Sequence, residues 1–342
     1  MTTGSNGASR PQIELLNPPA AIAGGDFELR GDHLSSDQGV RPIVRFGDVA
    51  GRLVVGASRR IVVKVPAEAD ASRLEVETAS GVSEPLDCSI GLRIAESLHP
   101  VANPAVDDAG NVYTTRSGSR GEKVPVSVFK IDTELTVRTF ASDIMNPTGL
   151  VVDPSGVLLV SSRQNGTIYS VDAAGEVSTY AEGMGVATGI ALDDEGSLYV
   201  GDRTGTIFKI GRDRQIFVFA TMEPSISAYH LAFGADGYLY VTGPTTSSHD
   251  AVQRVAPNGD VEVFLDGFGR PQGLAFDRAG NLYVTASRRG QRGVFRIRPD
   301  KTVDLVVSGP SMVGLAFLPN QDMVVTTNSD VYRVSTAGWI ER

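Results

Sequence analysis

The chain has 342 residues, of which 41% are hydrophobic and 21% charged, and its formal net charge at pH 7 is −9. This length can hold two domains, and the acidic balance argues against general affinity for nucleic acids or for membrane surfaces. The one cysteine, Cys88, excludes an internal disulfide and a thiolate metal cluster, and we expect it to be a small buried apolar residue.

The first ten residues are polar and are predicted to form a disordered leader. They contain neither the basic nor the apolar segment of a secretion signal, and no apolar run of the sequence is long enough to cross a bilayer. The expectation is therefore a cytoplasmic protein that makes no contact with a membrane, with export as the open alternative.

Short β-strands are predicted from residue 11 to residue 88. Apolar and polar residues alternate at Phe27 and Leu29 and again at Ile61, Val63 and Val65, and Gly and Pro bound these stretches. A period of two between turn residues is typical of strands with one buried face. This part of the chain therefore predicts a small antiparallel β-sandwich.

The same stretch carries a series of proline, glycine and apolar landmarks: Pro11, Ile13, Pro18, Gly24, Gly25, Gly31, Leu34, Val44, Arg45, Phe46, Gly47, Ala50, Ser58, Val65, Pro66, Val76 and Gly81. In these residues it resembles the IPT/TIG family of immunoglobulin-like domains, from residue 11 to about residue 87. The resemblance implies an immunoglobulin-like spacer or binding module without catalytic residues.

After residue 88 one motif recurs: a small-apolar pair, an acidic turn with Gly, and Leu-Tyr-Val. Its copies start at Asn103, Gly149, Gly189, His230, Gly273 and, in a weaker form, Gly314. We align the acidic turns at Asp107, Asp153, Asp193, Ala235, Asp277 and Leu318. The copies are 40 to 46 residues apart, which is the length of a four-stranded propeller blade, so six copies predict six blades.

A spare strand precedes the first copy. Its sequence RIAES resembles the outer-strand sequences TFASD and TYAEG, and the chain ends after the third strand of the sixth copy. Residues 89–98 are therefore predicted to complete the sixth blade, which closes the ring and removes an exposed sheet edge. Residues 89–342 resemble the NHL-repeat and gluconolactonase-like (SMP-30-like) six-bladed β-propellers. The resemblance implies an all-β fold but leaves the function open, because propellers host many functions.

One face of this propeller is predicted to carry the loops after the second strands and the loops between blades. Seven arginines fall in or beside these loops: Arg116, Arg163, Arg203, Arg270, Arg288, Arg289 and Arg292. A positive face on an acidic protein attracts an anionic ligand or an acidic partner surface. The alternative is that they are ordinary solvated surface charges.

Two substitutions mark the predicted channel mouth. The Gly that opens the first strand in four copies is Asn103 in the first copy and His230 in the fourth, so the two residues face each other across a ring of six. Histidine suits proton transfer or metal binding, and a structural histidine is the alternative because no carboxylate lies beside it in the sequence. A lining for a polar neutral or anionic ligand is completed by Asn146, Thr148, Thr188, Tyr229 and Gln272.

The resemblance to gluconolactonases also implies a divalent ion, which catalytic members hold with Asn and Asp side chains just before the first strands. This chain has different residues there: Ala102, Thr148, Thr188, Tyr229, Gln272 and Val313. Hard cations need oxygen ligands that usually include carboxylates. We therefore predict neither a metal nor another cofactor. The neutral oxygens of Asn103 and Asn146 leave a divalent cation as the open alternative.

Three functions follow from these features. The first is a non-catalytic recognition or scaffold protein that binds a polar or anionic ligand, or a protein partner, on the arginine-bearing face. The second is a lactonase-like hydrolase or lyase with His230 as acid or base and Asn103, Asn146, Thr148 and Gln272 orienting the substrate. The third is RNA binding, against which the net charge and the scarcity of aromatic residues in these loops argue. The sequence does not indicate an oligomeric state.

Overall fold

The computed structural model describes residues 9–35, 40–70, 72–118, 121, 123–247 and 249–338. All regular secondary structure in these ranges is β-strand, which confirms the predicted all-β class. No helix in them is long and apolar enough to cross a membrane. The predicted leader lies outside the described residues, apart from Ser9 and Arg10.

The chain divides into two compact units. The first comprises Met1–Leu92, Leu305–Pro310 and Ala337–Arg342, and the second comprises Arg93–Asp304 and Ser311–Thr336. In chain order the strands of residues 12–90 are β1 (Gln12–Asn17), β2 (Ala20–Ala21), β3 (Asp26–Asp32), β4 (Ile43–Phe46), β5 (Val49–Ala50), β6 (Arg52–Ala57), β7 (Arg60–Lys64), β8 (Arg73–Thr78), β9 (Gly81–Val82), β10 (Leu86–Asp87) and β11 (Ser89–Ile90).

Two sheets make up most of the first unit. Their strand orders are β1-β3-β7-β6 and β10-β8-β4-β5, with β9 beside β8, and all these pairs are antiparallel. The alternating residues predicted to point inward are buried, including Phe27, Leu29 and Ile61. Leu305–Pro310 joins this unit, where Val307 and Ser308 pair in parallel with β2.

Cys88 is buried in this core, as predicted. Burial, and to a lesser extent the negative charge of Asp87, raises the pKa of its thiol to about 12. The side chain is therefore a protonated thiol at neutral pH and behaves as a small apolar group.

The later strands are β12 (Leu92–Ala95), β13 (Ala105–Val106), β14 (Val112–Thr115), β15 (Val128–Ile131), β16 (Val137–Ala141), β17 (Pro147–Val152), β18 (Leu158–Ser162), β19 (Ile168–Val171), β20 (Val177–Ala181), β21 (Ala187–Leu192), β22 (Leu198–Asp202), β23 (Thr206–Ile210), β24 (Ile216–Thr221), β25 (His230–Phe233), β26 (Leu239–Thr242), β27 (Asp250–Val255), β28 (Val261–Phe268), β29 (Leu274–Phe276), β30 (Leu282–Arg288), β31 (Gln291–Ile297), β32 (Val303–Ser308), β33 (Met312–Phe317), β34 (Met323–Thr327) and β35 (Val331–Val334).

The second unit is a series of antiparallel sheets that follow the sequence repeats. Four of them are consecutive four-stranded sheets, β13 to β16, β17 to β20, β21 to β24 and β25 to β28. The next repeat contributes β29, β30 and β31, and the last sheet has the order β12-β35-β34-β33. The first strands of the repeats, β13, β17, β21, β25, β29 and β33, contact one another in a closed cycle. This is the arrangement of a β-propeller.

The acidic turn of the motif has a clear structural role. In the first repeat the Asp107 carboxylate accepts the backbone N–H of Asn111 (2.8 Å) and the hydroxyl of Tyr113 (3.0 Å). Asp277 accepts the N–H of Asn281 (2.9 Å) and the hydroxyl of Tyr283 (3.0 Å) in the same way. The carboxylate thus closes the turn and fixes the tyrosine of the following strand, which explains why the two residues recur together.

The fourth repeat corrects our alignment by one residue. The residue that matches Asp107 is Gly234, not Ala235, because Gly234 N donates to the turn carbonyl of Tyr238 (3.0 Å) as Asp107 N donates to that of Asn111 (3.1 Å). The carboxylate comes instead from Asp236, which accepts the hydroxyl of Tyr240 (2.8 Å). An acidic group two residues later in the turn therefore serves the same tyrosine.

Candidate functional site

The first strands of the second unit surround a cavity of about 340 Å³. Every one of the six repeats contributes to its lining, and most of the lining residues are small or aliphatic. Of the predicted site residues, Asn103 and His230 line this cavity.

Close backbone packing explains the glycines at this level. A Cβ at Gly189 would collide with the carbonyl oxygen of Tyr229, and a Cβ at Gly314 would collide with that of Ala102. Glycine is required here because neighbouring first strands approach one another directly, not because of a special backbone angle. Residues larger than glycine are therefore tolerated at only a few positions of the cavity wall.

Asn103 is fully engaged in the structure. Its Nδ2 donates to the carbonyl of Leu274 (2.9 Å), and its Oδ1 accepts the N–H of Leu315 (3.2 Å). The side chain thus bridges the first strands of two other repeats. It serves as a brace of the cavity wall, and both of its hydrogen-bonding groups have partners within the protein.

His230 differs from Asn103 in the hydrogen bonding of its side chain. It is 2% exposed, and its Nε2 atom is buried with no hydrogen-bond partner among the described residues. Burial lowers the pKa of the imidazole to about 4, so the ring is neutral at pH 7. A neutral imidazole can accept or donate a hydrogen bond, or accept a proton, but it cannot supply one as a cationic acid.

The polar residues that precede the first strands are turned toward the backbone. The Thr188 hydroxyl donates to Gly201 O (2.8 Å) and accepts Tyr229 N (3.1 Å), and the Thr148 hydroxyl donates to Asn146 O (3.2 Å). The Tyr229 hydroxyl donates to Glu223 O, and burial raises the pKa of Tyr229 to about 12. Together with Gln272, whose main-chain N–H bonds Thr285 O (2.9 Å), these residues lie outside the cavity lining.

Asn146 supports a loop instead of facing the cavity. It is fully buried, with a positive φ of 43°, a conformation that asparagine tolerates better than most residues. Its Oδ1 accepts Gly121 N (2.9 Å), and its Nδ2 donates to Gly118 O (3.1 Å). Arg163 also donates to Gly118 O (3.0 Å), so the two side chains hold the long loop after β14.

The donor set does not fit the divalent ion of the gluconolactonase-like propellers. The hydroxyl and amide groups at the channel mouth are already bonded to the protein backbone, and they include no carboxylate. Among the described residues, no group of three or more His, Cys, Asp or Glu is arranged to hold a metal. A hard cation would find neither free oxygen ligands nor negative charge at this position.

The loops predicted to share one face are linked by hydrogen bonds. Arg163 reaches Gly118 in the loop after β14, and Arg203 Nε donates to Ser225 O (3.2 Å) in the loop before β25. Ser225 Oγ in turn donates to Pro244 O (3.0 Å) in the loop after β26. These contacts connect successive repeats, so we call the surface with Arg116, Arg163, Arg203, Arg270, Arg288, Arg289 and Arg292 the arginine face.

For six of the seven cations of the arginine face, the described residues provide no neutralising carboxylate. Arg203 and Arg288 bond carbonyl oxygens, and Arg288 also lies over the Phe268 ring with its guanidinium carbon 4.8 Å from the ring centroid. In the ranges that the structure covers, no ion pair with a carboxylate forms at Arg116, Arg203, Arg270, Arg288, Arg289 or Arg292.

Some carboxylates on the same loops are engaged. Asp143 pairs with Lys123 (2.6 Å), and Asp202 accepts the N–H of Val186 (3.0 Å). Glu182 and Glu223 are exposed. The balance of charge available to a ligand on this face is therefore positive, in a protein whose net charge is negative.

No family model and no curated protein matches this chain in sequence. Its structure is similar to a gluconolactonase from Xanthomonas campestris (17% identity, 72% of this chain and 89% of that chain covered, TM-score 0.59). It is also similar to an auxiliary nutrient binding protein from Bacteroides thetaiotaomicron (13%, 96% and 98%, TM-score 0.56). A third similar structure is a catalytically inactive virginiamycin B lyase from Staphylococcus aureus with quinupristin (12%, 97% and 96%, TM-score 0.52). At these identities the similarity concerns the fold, and the chain is an all-β protein of the propeller type.

Proposed function

We propose that this protein is a non-catalytic binding protein that captures a polar, anionic ligand on its arginine face. In this proposal an IPT/TIG-like immunoglobulin domain precedes a six-bladed propeller, in which β12 completes the last blade. The closed cycle of first strands and the position of β12 beside β35 support this architecture.

The observation that carries the proposal is the unneutralised charge of the arginine face. A guanidinium group presents several N–H donors in a planar fork, which suits carboxylate, sulfate and phosphate groups. Arg116, Arg270 and Arg292 make no side-chain ion pair within the described part of the chain, so their donors are available to a ligand. A ligand with several acidic groups would contact more than one of them.

Two further observations favour binding over catalysis. The polar groups at the channel mouth are used within the protein, and the neutral His230 has no carboxylate partner that would orient it or stabilise its protonated form. In addition, the fold of the auxiliary nutrient binding protein from Bacteroides thetaiotaomicron matches nearly the whole length of this chain.

Affinity electrophoresis in gels that contain polygalacturonate, a polymer of carboxylated sugars, tests the proposal. We expect the protein to be retarded at low salt and released at high salt, and a neutral galactan to have no effect. The double variant Arg203→Glu/Arg292→Glu should lose the retardation. The matched control Arg212→Glu/Arg278→Glu reverses two exposed charges in turns on the opposite side of the sheets and should keep it. Equal loss in both variants would contradict a specific face.

A hydrolase or lyase that acts at the central cavity is the second candidate. It is favoured by the buried, unpartnered Nε2 of His230 and by the similarity to a gluconolactonase and a virginiamycin B lyase. The test is turnover of glucono-1,5-lactone and of quinupristin by the native protein and by His230→Ala. Turnover that depends on His230 would support an enzyme, and full activity of the variant would exclude His230 from the reaction.

A further inference from the structure

A second cavity of about 310 Å³ lies between the sheet β13 to β16 and the sheet that contains β12, β33, β34 and β35. It shares no lining residue with the central cavity. Its walls are aliphatic, formed by Ile94, Val112, Ile131, Leu135 and Leu318, and turn residues form its rim. A comparison between the repeats shows why a cavity opens between these two sheets.

The repeats provide an internal comparison, because three turns have the same geometry at one position. Leu135, Arg214 and Lys301 have φ values of 65°, 65° and 66°. Each donates its N–H to the carbonyl three residues earlier, at 2.9, 2.9 and 2.8 Å respectively. The three residues are therefore structural equivalents in the first, third and fifth repeats.

In the third and fifth repeats this position covers an aromatic ring of the preceding repeat. The guanidinium carbon of Arg214 lies 3.4 Å from the ring centroid of Tyr180, and Nζ of Lys301 lies 5.1 Å from that of Phe264. Cation–π pairs of this kind fill the space and contribute to stability. In the first repeat the same position is Leu135, and the residue it meets across the cavity is Ile94.

Further aromatic rings that other repeats have are also missing between these two sheets. Tyr240 stands opposite Arg254 on the neighbouring strand, and its ring lies 4.9 Å from Phe264 and 5.0 Å from Phe276. The equivalent of Tyr240 in the last repeat is Val324, which stands opposite Arg333.

Val106 takes the place of Phe276, because each residue stands opposite the first residue of its second strand. Three rings are thus replaced by Val324, Ile94 and Val106. Of these residues, Ile94 lines the second cavity, whereas Val106 lines the central cavity, so the ring lost at Ile94 is the one that leaves space here.

The rim of the cavity is acidic. Asp108 is exposed and makes neither a hydrogen bond nor an ion pair within the described residues. Arg333, the cation of the rim, is held by the Asp322 carboxylate through Nε (2.9 Å) and Nη2 (2.7 Å). The charge that remains available to a ligand at this cavity is therefore negative.

We propose that this cavity binds a small organic cation that carries one aromatic ring, of the arylalkylamine class. The ring takes the space that Phe264 fills in the fourth repeat, and the ammonium group pairs with the Asp108 carboxylate. Apolar walls with a single charged group at the rim are typical of pockets for such small molecules. The cavity is aliphatic where two other places in the unit have both a ring and a cation, Tyr180 with Arg214 and Phe264 with Lys301. A ligand that supplies both groups matches what this site lacks.

Isothermal titration with phenethylamine tests the proposal on the full chain. We expect one binding site for phenethylamine and much weaker binding of phenylacetate, which keeps the ring but reverses the charge, and of n-butylamine, which keeps the charge but lacks the ring. Asp108→Asn should weaken phenethylamine binding by about tenfold or more. Asp194→Asn, which changes the matching exposed carboxylate of the third repeat, should leave it unchanged.

Two variants change the cavity wall, one by filling the space and one by adding a charge that repels a cationic ligand. Ile94→Phe restores the ring of the other repeats and should abolish binding. If Ile94→Phe does not fold, Leu135→Lys provides the test, because the residue is partly exposed and Lys301 adopts the same φ. Binding that survives Leu135→Lys, equal affinity for phenylacetate, or no binding of phenethylamine to the native protein would overturn the proposal.

Discussion

The two ends of the repeats in the second unit use their charged residues differently. At the turns that follow the first and third strands and the strand ends beside them, which we call the turn face, three arginines are tied to carboxylates. Arg333 pairs with Asp322, Arg254 with Glu262, and Arg298 with Asp304. On the arginine face, by contrast, Arg203 and Arg288 bond carbonyl oxygens and pair with no carboxylate of the described residues. The charges of these three arginines therefore serve the fold, whereas those of Arg203 and Arg288 remain available for recognition.

The turn face also contains the motif that makes the repeats recognisable. Each Asp–Tyr hydrogen bond joins a turn to the second strand of the same sheet, as in Asp107 with Tyr113 and Asp277 with Tyr283. The Asp and Tyr of this hydrogen bond lie within one repeat, so they recur with it. The arginines recur less regularly: Arg116, Arg163 and Arg203 directly follow second strands, whereas Arg270 lies between repeats and Arg292 lies in a third strand. A conserved internal pattern thus indicates folding constraints, whereas irregular residues indicate where function can vary.

The largest effect expected from this comparison is the loss of a buried turn carboxylate. Asp277 is 6% exposed and accepts hydrogen bonds from Ala279 N, Asn281 N, Asn281 Nδ2 and Tyr283 Oη at 2.9, 2.9, 2.8 and 3.0 Å. Asp277→Ala leaves these donors unpaired, and the free energy of unfolding should fall by about 3 kcal/mol. Urea unfolding measures this. Arg292→Ala on the arginine face is the control and should leave the midpoint unchanged; a similar loss in both would remove the contrast.

A smaller effect should appear in the pH dependence of the free energy of unfolding. It arises from His230, the first residue of β25. Folding lowers the pKa of His230 to about 4, below the value of about 6.5 in an unfolded chain. Between these values the unfolded chain binds a proton that the folded protein does not, so stability falls as the pH drops from 6.5 towards 4. At pH 5 the loss should be about 2 kcal/mol. His230→Gln should remove this part of the pH dependence, as measured by urea unfolding at pH 7 and pH 5. An unchanged pH profile would show that folding does not lower the pKa of His230.

Local patterns in the sequence predicted much of the fold. Strand alternation identified buried residues such as Phe27 and Ile61, and the spacing of the motif predicted the propeller-type sheets. The pairing of Leu305–Pro310 with the first unit could not be predicted. Leu305–Pro310 belongs to the first unit through backbone pairing with Ala20 and Ala21, and backbone hydrogen bonds leave no side-chain pattern in the sequence.

The site was harder to predict than the fold. Asn103 and His230 do line one cavity, but residue type alone could not tell that Asn103 is bonded to Leu274 and Leu315 while His230 Nε2 is not. Thr148 and Thr188 also bond the backbone, so polarity in a sequence does not reveal whether the polar group is free.

We did not predict the second cavity, although two substitutions in the sequence indicate it. In the motif Leu-Tyr-Val the tyrosine is Val324 in the last repeat, and Ile94 takes the position of Phe140 and Tyr180. The two changes occur far apart in the chain, at its start and its end within the second unit. Only the closing position of β12 brings them to the same place, beside β35.

The smallest effect concerns single arginines and separates the two ends most directly. Arg333 makes two hydrogen bonds to Asp322, which is itself largely buried, so Arg333→Ala should lower the free energy of unfolding by about 1 kcal/mol. Arg203 is exposed and bonds one carbonyl oxygen, so Arg203→Ala should leave the unfolding midpoint within error. The same two variants should behave in the opposite order in polygalacturonate gels, where Arg203→Ala weakens retention and Arg333→Ala does not. If both properties followed the same residue, stability and recognition would not be divided between the two ends, and the arginine face would be part of the structural framework.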